Sequence, residues 1–244
     1  MLSRVSSVDL IYLDQNFDID QIQCEEEALK ESARLDAKSL SNCIEKEVCD
    51  IFFINIRSFS SHKDDLWQDL CSKKARYICL AETWIQPTME SPFQSDDRFV
   101  YHASFGNGKG CCIMSSIEEN QHFPVCTEMF QIMSMPVMNL QLTVVYLSSG
   151  ADLQDVTMAL KNTLDLNVPQ ILLGDFNFDC HEKNTLNSYL HGIGLSQKVT
   201  QPTHIAGRTL DHLYLSGDMI EKLQLDVQFK YFSDHAALQI KLNV

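Results

Sequence analysis

Short apolar runs alternate with polar, helix-forming stretches from residue 50 onward. Residues 50–56 and 77–82 are apolar runs of strand length, and the stretch between them at 62–75 has the composition of a helix. Such a strand-helix-strand order is typical of a domain in which helices cover a sheet. The pattern therefore predicts an α/β fold for this part of the chain.

Strict alternation of apolar and polar residues predicts two further strands. Leu140, Leu142 and Val144 alternate with polar residues up to Tyr146, which favours a strand with only one face buried. The same alternation predicts a final strand at 238–244, just after the sequence Ser-Asp-His at 233–235. A helix before the predicted strand at 170–174 would begin at an Asp152 cap and bury Leu153, Val156, Leu160 and Leu164.

Residues 21–48 differ in composition from the rest of the chain. They contain no Gly or Pro and are rich in helix formers, so they predict one long or two shorter amphipathic helices with an acidic outer face. We therefore expect an acidic helical extension at 1–48 and the α/β domain at 49–244. The helices either pack on this domain or contact a protein partner.

Composition narrows the class of protein. Of the 244 residues, 45% are hydrophobic and 21% are charged, as in globular soluble proteins. No apolar run approaches the roughly 20 residues needed to span a bilayer, and the first residues lack a secretory signal. The nine cysteines include no CxxC pair, which favours reduced core residues over a disulfide framework or a zinc site. We expect an intracellular protein, in the nucleus or cytoplasm, without a membrane partner.

The net charge of −14 limits the ways in which the protein can bind nucleic acid. Residues 1–50 carry five Lys or Arg and twelve Asp or Glu, so half of this net charge lies in the first fifth of the chain. An acidic protein repels phosphate as a whole, and any contact with nucleic acid needs a local basic surface. The balance argues against a strong non-specific DNA binder.

Polar residues suited to catalysis follow or precede the predicted strands. The sequence Leu-Leu-Gly-Asp-Phe-Asn at 172–177 ends a strand in Asp175 and Asn177, which would project to the same side and offer oxygen ligands to a hard cation. An ordinary turn is the alternative, since Gly, Asp and Asn are common turn residues. Six such sites favour catalysis, because α/β enzymes gather their catalytic groups from several strand ends. These six sites hold eight residues, because two sites hold a pair: Asn55, Glu82, Tyr146, Asp175 with Asn177, Asp211, and Asp234 with His235.

Five short motifs in this order resemble those of the endonuclease/exonuclease/phosphatase superfamily, over about residues 49–244. Within it they look most like the apurinic-type endonuclease domain of LINE-type non-LTR retrotransposons and Helitron-like elements. The motifs are N-I-R-S at 55–58, A-E-T-W at 81–84, L-L-G-D-F-N at 172–177, Q-P-T-H at 201–204 with T-L-D-H at 209–212, and S-D-H at 233–235.

The resemblance implies a fold, a cofactor and a set of roles. The fold would be two packed mixed β-sheets flanked by helices, a four-layer DNase I-like sandwich. Glu82 and Asn55 would hold Mg²⁺, for which Mn²⁺ can substitute. His235, oriented by Asp234, would carry charge near the phosphate or act as general base. The remaining catalytic residues would be Asp175 for the attacking water, Asn177 for a phosphate oxygen, Tyr146 for the phosphate or leaving group, and Asp211 as a partner of His235 or the metal.

Substrate contacts are predicted at Arg57, Lys109, Thr203, Arg208 and Thr209. Three features depart from the pattern of the superfamily: Arg57 stands where repair enzymes typically have an acid, Leu-Ser-Ser follows Tyr146, and G-N-G-K-G at 106–110 replaces a glycine run. We interpret that segment as a turn, because it lacks the spacing of a phosphate loop. His204, His212 and Cys180-His181 have no zinc-ligand spacing, and His212 has the alternative of being a surface neighbour of Asp211.

The leading hypothesis is a Mg²⁺-dependent phosphodiesterase, acting as a monomer, that nicks DNA to leave a 3′-hydroxyl. A second hypothesis keeps the fold and changes the substrate to RNA, a nucleotide or a phospholipid headgroup. A third is a non-catalytic binding module with a degenerate site. The filled polar positions favour the two enzyme hypotheses over the third.

Overall fold

The computed structural model describes residues 49–86, 98–103, 108–118 and 124–243, within the unit Val48–Val244. The predicted helices at 21–48, and the protein contact predicted for them, lie outside these residues, as do positions 106 and 107 of the glycine-rich segment. In this part of the chain, no helix has both the length and the apolar character to span a membrane.

In the described residues, twelve strands form two mixed sheets of six strands each. The strands are β1 (Ile51–Asn55), β2 (Tyr77–Ala81), β3 (Phe99–Ala103), β4 (Cys111–Ser115), β5 (Val125–Cys126), β6 (Phe130–Val137), β7 (Leu140–Leu147), β8 (Gln170–Asp175), β9 (Leu195–Gln197), β10 (Asp211–Ser216), β11 (Leu223–Phe229) and β12 (Ala236–Leu242). The first sheet has the order β11-β12-β1-β2-β4-β3, and the second has the order β5-β6-β7-β8-β10-β9.

Four α-helices lie in the described part of the chain: α1 (Phe59–Gln68), α2 (Leu70–Lys74), α3 (Leu153–Thr163) and α4 (Thr185–Gly192). The single helix predicted at 62–75 is instead the pair α1 and α2. Asp69 separates them, because its carboxylate accepts the backbone N–H groups of Cys71 and Ser72 and so starts a new helix. Asp152 caps α3 as predicted, accepting from Gln154 N at 2.7 Å.

Three apolar clusters show how the layers pack. One lies between the sheets and includes Phe53 and Leu238 of the first sheet and Val144 and Leu173 of the second. A second packs β1, β2 and α1 together, and a third packs β7 and β8 against α3 and α4. The predicted helix-sheet-sheet-helix sandwich is therefore confirmed.

The prediction that the 140–146 strand has one exposed face is wrong, because all eight residues of β7 are buried. Its polar residues lie in a buried hydrogen-bond network. Gln141 Nε2 donates to Ser134 Oγ at 2.6 Å and to Thr163 O at 3.0 Å, while the hydroxyl of Thr143 is 3.0 Å from that of Ser134. These bonds satisfy polar groups that burial would otherwise destabilise.

Strand register brings several polar ends to one edge of the sandwich. In the second sheet, Asp175 on β8 lies opposite Tyr146 of the parallel strand β7 and opposite Asp211 of the antiparallel strand β10. In the first sheet, Asn55 ends β1 opposite Ala81 of the parallel strand β2, and Glu82 follows directly. Because the two sheets pack face to face, these groups lie at a common edge of the sandwich.

The loop between β11 and β12, which carries Asp234 and His235, is tied to α1 and to the α1–α2 junction. Lys230 forms a largely buried ion pair with Asp69, the residue that caps α2. The hydroxyl of Tyr231 donates to the carboxylate of Asp65 at 2.6 Å. These contacts hold the loop in place beside the site.

Candidate active site

Asp175 is the centre of the polar edge. Its side chain is buried, and its two carboxylate oxygens accept different donors: Oδ1 accepts the backbone N–H of Asn177 at 2.9 Å, and Oδ2 accepts Nδ2 of Asn55 at 2.8 Å. The second bond crosses from one sheet to the other, and so connects the ends of β1 and β8 directly.

His235 is oriented by Asp211. Its Nδ1 lies 2.8 Å from Asp211 Oδ2, and Asp211 is itself fully buried. The backbone N–H groups of Leu210 and Asp211 both donate to Thr203 Oγ1, which fixes the start of β10. The Nε2 side of the His235 ring is then the side that a substrate would meet.

Asp234 does not orient His235, contrary to the expectation from the resemblance. Its carboxylate Oδ2 contacts Arg57 Nη1 at 2.5 Å and lies 3.7 Å from His204 Nε2. Ser233 has the role of fixing the backbone instead: its hydroxyl donates to Asn55 O at 2.7 Å and accepts from the N–H of His235 at 3.0 Å.

Tyr146 lies beside Asp175 on the neighbouring strand, and Glu82 lies close to Tyr146. Burial, and then the charges of Glu82 and Asp175, raise the pKa of Tyr146 above its ordinary value, so the phenol stays protonated. Its hydroxyl donates to Gly108 O at 3.1 Å. Glu82 has a positive φ of 50°, a conformation that is uncommon for residues other than glycine and recurs at functional sites.

The carboxylates and His235 perturb one another's titration. Burial, followed by the nearby Asp211, raises the pKa of Asp175 to about 7. Burial lowers the pKa of His235, but Asp211, Asp175 and Asp234 outweigh this effect and raise it to about 9. At neutral pH the imidazolium form of His235 therefore predominates, held by the carboxylates around it.

Replacing Asp211 by Asn should lower the pKa of His235. Removal of the adjacent charge and of the charge-assisted hydrogen bond leaves burial as the larger effect, so we expect the value to fall from about 9 by about 2 units or more. A proton NMR titration of the metal-free protein measures this pKa. The spectrum of His191→Gln identifies the resonance of an exposed imidazole, which serves as the reference. An unchanged titration of His235 would show that Asp211 does not control its charge.

The donor set at this edge fits a hard cation. Ligand atoms of Asp175, Asp211 and His235 lie within 4.8 Å of one another. Asp211 Oδ1 is buried without a hydrogen-bond partner, and such an acceptor is costly unless a donor or cation meets it. Asn55 bonds to Asp175 through its amide nitrogen, and Glu82 is close enough to Tyr146 for its charge to act on that phenol. Carboxylate and amide oxygens are ligands that Mg²⁺ prefers.

The predicted substrate-binding residues fall into two groups. Arg57, Lys109 and Arg208 are near the surface, and each already has a partner in Asp234, the backbone oxygen of Glu128 and Glu182, respectively. Thr203 and Thr209 are buried, with hydroxyl groups bonded to backbone atoms. Their positions give these two residues a structural role and offer no support for substrate contact.

Asn177 lies at the edge in a left-handed conformation, with a φ of 55°. Its Nδ2 donates to Leu147 O at 2.7 Å, which binds the loop after β8 to the end of β7. His212, in contrast, is not a surface residue: it is fully buried, its ring stacks on Phe176 with centroids 4.5 Å apart, and burial lowers its pKa to about 4.

Sequence reasoning missed three residues that shape the site. They are Gly174, Ser233 and His204. Gly174 stands inside a strand, a position that indicates close backbone approach, and this signal was available in the sequence. Ser233 and His204 lie within the motifs at 233–235 and 201–204, but the motifs do not show their contacts, because those depend on partners elsewhere in the fold.

Comparisons with known proteins show the family and the fold. The model of the Endonuclease/Exonuclease/phosphatase family matches residues 53–235. No curated protein matches the sequence. Among solved structures, the endonuclease domain of TRAS1, a telomere-specific non-LTR retrotransposon, is 15% identical with a TM-score of 0.61, covering 80% of this chain and 98% of that one.

Two further solved structures share the fold at similar distance. An AP endonuclease from Archaeoglobus fulgidus is 15% identical with a TM-score of 0.61, covering 80% of this chain and 99% of that one. The 3′-5′ exonuclease NExo from Neisseria meningitidis is 16% identical with a TM-score of 0.62, with coverages of 80% and 99%. Likenesses at this identity establish the fold, and the family match extends over most of the chain.

Proposed function

Since the chain belongs to the endonuclease/exonuclease/phosphatase family, we propose that it is a Mg²⁺-dependent phosphodiesterase that nicks DNA and leaves a 3′-hydroxyl. The observation that carries the proposal is the cross-sheet bond from Asn55 to Asp175, beside the Asp211–His235 pair. A metal-binding amide, a buried carboxylate and an oriented imidazole are thereby gathered on one edge.

The two titrating groups receive distinct roles. His235 has a pKa raised to about 9, so its ring carries positive charge at neutral pH and would donate from Nε2 to a phosphoryl oxygen. Asp175 has a pKa of about 7 before a cation binds, and would accept the proton of the attacking water. This assignment favours His235 as an electrostatic partner over His235 as general base.

Glu82 and Asn55 would hold the cation, with Asp175 and Asp211 close by. When bound, Mg²⁺ would neutralise charge on the phosphoryl oxygens. Tyr146 would donate to the phosphate or the leaving oxygen, because its raised pKa keeps the phenol protonated. Asn177, at the end of β8, would hold a phosphate oxygen.

Glu82→Gln should abolish stabilisation by Mg²⁺. At a concentration tenfold above its dissociation constant, a cation that binds only the folded state stabilises it by about 1.4 kcal/mol, a rise in Tm of about 3–6 °C for a domain of this size. Thermal melts with and without Mg²⁺ measure the effect. The exposed Glu221→Gln is the matched control and should keep the full rise. Equal rises in Tm in all three proteins would show that Glu82 does not bind the cation.

Nicking of supercoiled plasmid tests the proposed function. Purified protein should convert it to the open circle with Mg²⁺ and not with EDTA, and the nick should prime a DNA polymerase, which requires a 3′-hydroxyl. Loss of supercoiling in EDTA would refute metal dependence. An unextendable nick would refute the proposed end chemistry, and an intact plasmid under all conditions would refute the assignment to DNA.

The charge distribution favours a second candidate, a phosphodiesterase of the same mechanism acting on RNA or a small phosphodiester. Arg57, Arg208 and Lys230 lie near the site edge, and each is paired with an acid. Long duplexes normally need several unpaired cations along their backbone. A panel of duplex DNA, single-stranded RNA and dinucleotides separates the candidates, since a short-substrate enzyme would show little dependence of its rate on salt.

A further inference from the structure

His204 lies against His235, although it belongs to the loop between β9 and β10. The two residues form an isolated antiparallel bridge, in which Ile205 N donates to Asp234 O at 3.0 Å and Ala236 N to Thr203 O at 2.6 Å. Their rings meet edge to face with centroids 4.8 Å apart. The His204 side chain is 23% exposed, so it is held by its backbone and still open to a ligand.

The hydrogen bonding of the ring determines where its proton lies. The backbone N–H of Ala206 donates to Nδ1 of His204 at 3.1 Å. A nitrogen that accepts a hydrogen bond carries no proton, so the neutral ring carries its proton on Nε2. Nε2 is then a donor. This excludes it as a metal ligand in this tautomer, although His204, Asp234 and His235 lie close enough together to suggest a cation site.

The nearby acid leaves this donor available. Asp234 Oδ2 is 3.7 Å from His204 Nε2, which is too long for a hydrogen bond, because it is drawn to Arg57 at 2.5 Å. A partly exposed N–H group that lacks a short bond to its neighbour can bind an incoming acceptor without first breaking a strong contact. By binding Asp234, Arg57 thus keeps the carboxylate from forming a hydrogen bond with His204 Nε2.

We infer that His204 is a substrate-contacting residue whose Nε2–H donates to an oxygen of the scissile phosphate, beside the Nε2–H of His235. Two imidazoles from different loops then face the same phosphodiester. Arg57 positions Asp234 so that its carboxylate does not bond to His204 Nε2. The inference rests on the proposed phosphodiesterase function. The donor supplements the charge of His235 at the point where negative charge develops in the transition state.

Kinetics of His204 variants on supercoiled plasmid test this directly. Removal of one donor from a developing negative charge typically costs about 10²-fold in rate. We expect His204→Phe to lower kcat by that factor with an unchanged KM and unchanged Tm, and His204→Gln, which keeps an N–H donor, to recover about tenfold. His191→Phe, the same change at an exposed site on α4, should match wild type.

A double-variant comparison tests the part assigned to Arg57. Arg57→Met should slow nicking by about tenfold or more, because Asp234 then captures His204, and it should add less than twofold in the His204→Phe background. A multiplicative loss would overturn this indirect role and indicate direct contact of Arg57 with the substrate.

The outcomes separate the inference from the function on which it rests. If wild type nicks plasmid and His235→Gln does not, while His204→Phe stays within twofold of wild type, the role of His204 is overturned and the proposed function stands. If wild type cleaves no phosphodiester in the panel, both fall. Equal activity of the Phe and Gln variants would overturn the donor assignment in particular.

Discussion

Asp175→Asn is expected to lower the single-turnover rate of DNA cleavage by about 10³-fold. The change keeps the shape of the side chain and removes the group proposed to accept the proton of the attacking water, a role that contributes roughly 10²–10⁴-fold in enzymes. It also removes one of the two oxygens that bind Asn177 N and Asn55 Nδ2. Cleavage of a labelled duplex at saturating Mg²⁺ measures the effect, with the exposed Asp155→Asn as control.

Two opposing effects act on the stability of the same variant, because it loses one buried hydrogen bond and also loses a carboxyl group whose ionisation the fold disfavours. Burial raises the pKa of Asp175 from 3.8 to about 7, so the folded state disfavours the ionised form, and its stability falls as pH rises through about 7. At pH 8 and without metal, removal of this ionised group offsets the lost hydrogen bond, so Asp175→Asn should melt near the wild-type temperature. Lost activity with retained stability is the pattern of a functional residue. A variant that cleaves within tenfold of wild type would exclude Asp175 from catalysis.

Gly174→Ala is expected to destabilise the fold strongly. Gly174 has a φ of 153°, and a Cβ there would lie 1.9 Å from the backbone oxygen of Val145 on the paired strand β7. Strands β7 and β8 would have to separate next to Asp175. We expect a loss of about 3 kcal/mol or more in the free energy of unfolding, a fall in Tm of about 6–12 °C.

Gly192→Ala is the matched control for this prediction. Gly192 lies at the end of α4, where an added Cβ would meet nothing within 4 Å, and alanine is a better helix former than glycine. Urea denaturation of both variants and wild type gives the free energies. A Gly174→Ala protein with a wild-type midpoint would mean that the close approach of β7 and β8 is not required.

The sequence predicts the helices and strands of the α/β domain well because their signals are local, whereas the two-sheet sandwich is implied by the resemblance of the ordered motifs. Apolar runs at β1, β2 and β8 and the Asp152 cap depend on neighbours within a few residues, which periodicity and capping rules capture. The failures occur where distant partners intervene. Gln141 and Thr143 alternate like exposed residues, but Ser134 on β6 satisfies them inside the protein, and no pattern within β7 encodes that partner.

For the site as well, local patterns identify candidate residues but not the contacts between distant residues. The strand-end pattern and the ordered motifs identify Asn55, Asp175 and His235 as candidates, since each ends or begins a strand. They cannot specify which carboxylate orients the imidazole: proximity in the chain favours Asp234, whereas the packing of the two sheets brings Asp211 on β10 to it. His204 escapes sequence reasoning for the same reason, because its neighbour His235 is 31 positions away along the chain.

The central claim is that groups from both sheets act as one hydrolytic centre, and a double-mutant cycle tests it most directly. Asp175 ends a strand of the second sheet, and His235 precedes a strand of the first. Residues that act as a unit in catalysis give strongly non-additive losses. The account predicts that the double variant Asp175→Asn with His235→Gln cleaves about as slowly as the slower single variant. Losses that multiply, with each single variant retaining its full effect in the background of the other, would contradict it.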